Sequence, residues 1–125
     1  MLDGIAMKVI IAGSRDFTDY ALLKEYADHI LQNVAQRESI EIVSGGAKGA
    51  DELGELYAQE RGYKLTRFPA EWSKYGRAAG PKRNEQMGDY ADALIAFWDG
   101  KSKGTKHMIE YASRKKLKVR IMKTI

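Results

Sequence analysis

The chain contains no cysteine. Disulfides, a thiolate nucleophile and a cysteine-ligated zinc are therefore excluded. Only two histidines occur, His29 and His107, far apart in sequence. No structural transition-metal site is expected from them. No apolar run approaches the length of a membrane span. The first six residues, Met-Leu-Asp-Gly-Ile-Ala, lack the basic and long apolar regions of a secretory leader. The chain reads as cytoplasmic, with no membrane partner and no required cofactor. Prolines number two, Pro69 and Pro81, and both fall where a regular element is expected to end or begin.

What is present suits one globular domain over residues 1–125. The 125 residues are 44% apolar, enough for a core, and 30% charged. The formal net charge is +4 and the pI about 9.2. That balance permits a nucleic-acid partner without demanding one. A phosphate-bearing small molecule would account for it equally. Residues 1–6 read as an N-terminal extension, because strand-like sequence begins at Met7.

Apolar runs alternate with helical periodicity along the whole chain. Met7–Ala12 reads as a buried parallel strand. Leu22, Leu23, Tyr26, Ala27, Ile30, Leu31 and Val34 recur at helical spacing, with Thr18 or Asp16 as candidate cap. His29 lies beside that face as a partly exposed helix residue. Ile40–Val43 is a second strand. A second helix spans about Asp51–Arg61 and stops at Gly62. Lys64–Phe68 is a more polar strand, suited to a sheet edge. Residues 70–82 read as a long connection, and a third helix covers about Pro81–Tyr90. Ala93–Trp98 is the most strand-like run of all. A fourth helix reaches about Lys116, and Leu117–Met122 closes the chain. Such alternation predicts a three-layer α/β fold with a mostly parallel sheet, a single Rossmann-like domain.

In such sheets ligands bind beyond the carboxyl ends of the strands. Three strand ends here are rich in glycine, small hydroxyls and charge. The first is Gly13-Ser14-Arg15-Asp16. The second is Ser44-Gly45-Gly46-Ala47-Lys48-Gly49-Ala50-Asp51. The third is Asp99-Gly100-Lys101-Ser102-Lys103-Gly104-Thr105. A glycine loop between a strand and a helix N-terminus forms an anion site, because several N–H groups there lack a partner and the helix dipole is positive. The 44–51 loop is accordingly expected to hold phosphate, though a plain tight turn would have similar composition. It lacks the spacing of a Walker loop, and no full dinucleotide fingerprint is present. Arg15 can fork onto a phosphate. Arg83 and Asn84 lie near a helix start, where a cation is disfavoured unless an anion is close. Ser102 and Thr105 can donate hydroxyls or cap the fourth helix. Trp72 can stack on a base or pack on the core. Arg114, Lys115, Lys116, Lys118, Arg120 and Lys123 form a basic tail, read as a solvated face rather than a nucleic-acid patch.

Four motifs in order resemble the YspA/YpsA-related branch of the SLOG superfamily (DUF2493-type), relatives of the DprA/Smf and Lonely Guy (LOG) proteins. They are Gly13–Phe17, Ser44–Asp51, Ala79–Met87 and Phe97–Thr105. The resemblance implies a modified Rossmann-like fold, a pocket for a nucleotide or ADP-ribose-like ligand, and a homodimer. LOG-like enzymes cleave the N-glycosidic bond of nucleoside 5′-monophosphates with an arginine in an Arg-Lys-x-x-Met motif and a glutamate after a glycine-rich loop. Arg83–Met87 matches the first in spacing. His107 stands at the glutamate position. Such cleavage calls for a carboxylate to stabilise positive charge on the ribose or to activate water. Asp99 and Glu110 are the remaining candidates beside Arg83 and His107. The expectation is a nucleotide-binding sensor or sequestering domain. The alternatives are a phosphoribohydrolase and a DprA-like nucleic-acid binder.

Overall fold

The computed structural model describes residues 7–34 and 39–124. The expected N-terminal extension, residues 1–6, lies outside them. Five strands form one sheet: β1 (Met7–Gly13), β2 (Ile40–Ser44), β3 (Lys64–Arg67), β4 (Ala93–Trp98) and β5 (Lys118–Lys123). Their order is β3-β2-β1-β4-β5, and every pairing is parallel. The helices are α1 (Tyr20–Leu31), α2 (Ala50–Arg61), α3 (Trp72–Tyr75), α4 (Ala79–Tyr90) and α5 (Lys103–Arg114).

Parallel strands need covering on both faces. Here α1 and α2 cover one face, where Leu23, Ala27, Tyr57 and Ala58 pack on Val9, Ile11, Ile42 and Ile95. On the other face α4 and α5 set Met87, Met108 and Ala112 against Ile10, Val43, Leu94 and Ala96. The β-branched runs of β1, β2 and β4 thus lie in the middle of a three-layer molecule. The polar strand β3 is an edge strand, as its composition implies.

Several boundaries differ from the periodicity, each for a local reason. Asp19, rather than Thr18 or Asp16, caps α1, its carboxylate accepting from the Leu22 N–H at 3.0 Å. Val34 lies beyond the end of α1 but still packs against the core. The stretch 70–82 is no simple connection: α3, a 3-10 turn at Gly76–Ala78 and the start of α4 occupy it. Pro81 sits within the first turn of α4, where its missing N–H costs nothing. Lys116 turns to φ 64, which stops α5 short of it.

The chain crosses from the β3 edge to the far side of β1 before forming β4. Strand order therefore reverses between β1 and β4. At such a switch the loops leave in opposite directions and open a crevice at the carboxyl ends.

Candidate functional site

The ends of β1 and β4 are tied together by the first strand-end motif. Gly13 pairs in register with Phe97, and the Ser14 N–H donates to the Phe97 carbonyl at 3.0 Å. The buried Ser14 hydroxyl accepts from the Asp99 N–H at 3.2 Å. Asp99 in turn accepts from the N–H groups of Lys101 and Ser102, both at 2.8 Å. These N–H donors hold its carboxyl below the ordinary range. The turn so formed delivers Ser102 as the cap of α5, its Oγ accepting from the Thr105 N–H at 3.4 Å. The Thr105 hydroxyl lies 3.1 Å from that Oγ. The positive end of the α5 dipole therefore faces the crevice.

Helix α4 supplies the opposite wall. Arg83 lies one turn inside α4, because the helix begins at Ala79 and not at Pro81. Its Nη1 donates to the Gly45 carbonyl at 2.6 Å and its Nε to Asn84 Oδ1 at 3.1 Å. Gly45 has no side chain for a reason: a Cβ there would lie 2.5 Å from that Nη1. Asn84 Nδ2 donates to the Gly104 carbonyl at 3.1 Å and lies 3.2 Å from His107 Nδ1. One side chain thus locks α4, α5 and His107 together. Burial pulls the Arg83 guanidinium below its usual pKa; Asp51 opposes this and the nearby Arg15 charge adds to it. Among the described residues the Arg15 side chain has no ion-pair partner. Neither of the nearby carboxylates in sequence, Asp16 and Asp19, pairs with it.

The glycine loop between β2 and α2 is turned inward. Gly46 N–H donates to Ser44 Oγ at 3.0 Å, and Ala47 N–H reaches Asp51 Oδ2 at 3.4 Å. The Gly45 backbone also supports the Asp51 carboxylate. Ala50 N–H donates to the Ser14 carbonyl at 3.3 Å. Gly49 adopts φ 82, and a Cβ there would lie 2.4 Å from the Ser14 carbonyl oxygen, so only glycine fits this approach. The Asp51 carboxylate itself thus takes up N–H groups that the sequence offers to a phosphate. Burial pushes its pKa up to about 6, against the opposing pull of Arg83 and the loop N–H groups.

These elements enclose a cleft of about 610 Å³ at the switch point. Of the residues singled out in the sequence, it brings together Gly13, Ser14, Arg15, Ala47, Asp51, Trp72, Arg83, Asn84, Asp99, Ser102, Gly104, Thr105 and His107. A second cleft of about 370 Å³ adjoins it over the ends of β2 and β3, lined by Gly45, Gly46 and, in addition, by Glu52, Glu55 and Arg67. Ser44 is buried behind it and donates to Glu55 at 2.8 Å. Lys48, Gly49, Gly100 and Glu110 line neither cleft. Glu110 is exposed on α5, so it does not replace the missing glutamate. Trp72 is 52% exposed and does not serve the core. Sequence reading missed Asp16 and Lys103 in the larger cleft and the Glu55–Arg67 pair at 2.8 Å in the smaller. Glu55 was discoverable, lying one helical turn beyond Asp51. The basic tail is exposed throughout and away from both clefts. Among the described residues no helix is long and apolar enough to cross a membrane, and no cluster of His, Asp and Glu could hold a metal ion.

Comparison with known proteins agrees with this fold. Residues 7–75 match the YspA, cpYpsA-related SLOG family. Gene 61 protein of Mycobacterium phage D29 is 32% identical over 114 residues, covering 86% of this chain and 89% of that protein. The DNA processing protein A (DprA) structure from Streptococcus pneumoniae superposes with a TM-score of 0.72 at 17% identity, over 97% of this chain and 51% of that one. DprA from Helicobacter pylori, whose structure concerns its single-stranded DNA binding mode, gives 0.67 at 19% identity, over 95% and 66%. The chain therefore spans between half and two thirds of the DprA chains, and what it shares with them is the fold.

Proposed function

We propose, from the premise that this chain belongs to the YspA, cpYpsA-related SLOG family, that it binds a phosphate-bearing, nucleotide-derived molecule in the crevice between β1 and β4, as a sensor or sequestering domain. The observation that carries this reading is the Arg15 side chain, without an ion-pair partner among the described residues, at the same cleft as the half-buried Arg83. Two guanidinium groups that close repel, and an anion between them relieves the repulsion. The phosphate sits between these forks and the first turn of α5, where helix N–H groups and the Thr105 hydroxyl face it. The 44–51 loop contributes shape and the Gly45 carbonyl that aims Arg83, while Asp51 holds its N–H groups.

Hydrolysis of the ligand is the weaker reading. Asp16 and Asp99 are carboxylates placed in the cleft without deep burial. Asp99 is the one fixed at the β4 end, where backbone donors favour its ionised form, and is therefore the candidate. It can stabilise positive charge but is a poor proton donor. DNA binding is favoured by one observation of its own, the exposed Trp72 in a cleft it shares with Arg15, Arg67 and Arg83, together with the DprA-like fold. Incubation with mononucleotides, NAD and ADP-ribose, followed by desalting and mass spectrometry of what is retained, tests the three together. An intact retained nucleotide without free base is the expected result. Accumulating free base, lost in Asp99→Asn, would establish the hydrolase. Binding of oligonucleotides alone, falling steeply with salt, would establish the DNA reading.

A further inference from the structure

The two clefts are neighbours with a common wall. Arg15, Ala47, Trp72 and Arg83 line both. Each volume, about 610 and about 370 Å³, falls within the few hundred Å³ to about 1,000 Å³ typical of small-molecule sites. Their linings differ in chemistry. The larger holds Lys103, Ser102 and Thr105 at the α5 terminus. The smaller holds Glu52 and Glu55, whose carboxylates suit hydroxyl and amine donors better than a further phosphate, and Arg67, which pairs with Glu55 at 2.8 Å. On the wall stand the two guanidinium groups and a tryptophan whose exposure no core contact explains. Helix α3, which carries it, holds no fully buried residue; the indole lies over Gly80 of α4 and leaves about half of its surface open to the clefts.

We infer that the ligand is two-lobed: two nucleoside-sized halves joined through phosphate, with the joining phosphate on the Arg15–Arg83 wall and one half in each cleft. This rests on the proposed nucleotide-binding function and adds the class of molecule. A bridge carrying negative charge meets the paired forks bidentately. Trp72 borders both lobes and offers a stacking face to a base. A mononucleotide fills one lobe and leaves the other to water. The joining group is a pyrophosphate, as in NAD, or a phosphodiester, as in a dinucleotide of DNA. The wall recognises the charge shared by both.

Calorimetric titration of the whole chain with AMP, NAD and the dinucleotide d(TpT) tests this. At least one two-lobed probe is expected to bind about tenfold or more tighter than AMP, the scale of one added stacked base. Which of the two does so identifies the bridge. Ala70 also lines the smaller cleft, and Ala70→Trp, which places an indole in it, is expected to bring that affinity down to the level of AMP. Equal affinity for AMP and both two-lobed probes in the unmodified protein would overturn the inference while leaving the nucleotide reading standing. Tight two-lobed binding that survives in folded Ala70→Trp would overturn it too. Failure of all three probes to bind would overturn both readings. The comparison within the unmodified protein does not depend on the variant folding.

Discussion

Arg15 and Asp51 carry opposite charges into one cleft, and their environments give them opposite sensitivities. Arg15 is exposed and has no ion-pair partner among the described residues. Arg15→Ala should therefore leave stability within about 0.5 kcal/mol of the parent. It should weaken ligand binding by about 1.5–3 kcal/mol, the worth of a hydrogen bond to a charged group. Thermal melts and titration of the same sample check both halves. Asp51 is 5% exposed, and burial raises its pKa to about 6. The folded state then holds a proton on Asp51 at pH values where the unfolded chain has lost it. Stability from this group is present below about pH 4 and is lost as pH rises through about 6, an effect of order 2–3 kcal/mol. In Asp51→Asn this downward slope between pH 4 and 6 should disappear from denaturant titrations. A slope unchanged by the substitution would contradict a buried Asp51 carboxyl with a raised pKa.

The elements position the cleft through their ends rather than their middles. Ser102 begins α5 by accepting from Thr105 N–H, held in place by Asp99. Ser102→Ala should cost about 1 kcal/mol in stability and also weaken nucleotide binding, since the same turn aims the α5 dipole at the ligand. Intact binding in that variant would remove α5 from the anion site. The strand–helix alternation and the strand ends were legible in the sequence because buried parallel strands are short β-branched runs with sharp glycine stops. Ser102 as a cap and Gly62 as a stop were legible for the same local reasons. The α3 segment was not. None of its four residues is fully buried, and a helix without an apolar stripe leaves no periodicity to read. The cap of α1 was misplaced because Asp16, Thr18 and Asp19 are all competent acceptors, and only the three-dimensional path of the loop selects Asp19.

At the scale of the whole molecule, strand order decides where the crevice lies. The reversal between β1 and β4 brings Gly13–Arg15 and Asp99–Thr105 to one crevice although over eighty residues separate them. Composition predicted the parallel sheet but not its order, since crossovers leave no trace in periodicity. The glycine loop shows the limit most plainly. Its sequence advertises free N–H groups, yet a carboxylate six residues beyond Gly45 returns to accept from them. Tertiary return of that kind is invisible to spacing. The crevice account makes one claim above the others: a nucleotide phosphate binds where β1, α4 and α5 meet. Amide chemical-shift mapping by NMR during titration with a mononucleotide tests it most directly. The account predicts shifts concentrated at Ser14–Asp16, at Arg83–Asn84 and at Ser102–Thr105. Shifts confined to the basic tail at 114–123, or none at saturating nucleotide, would contradict it.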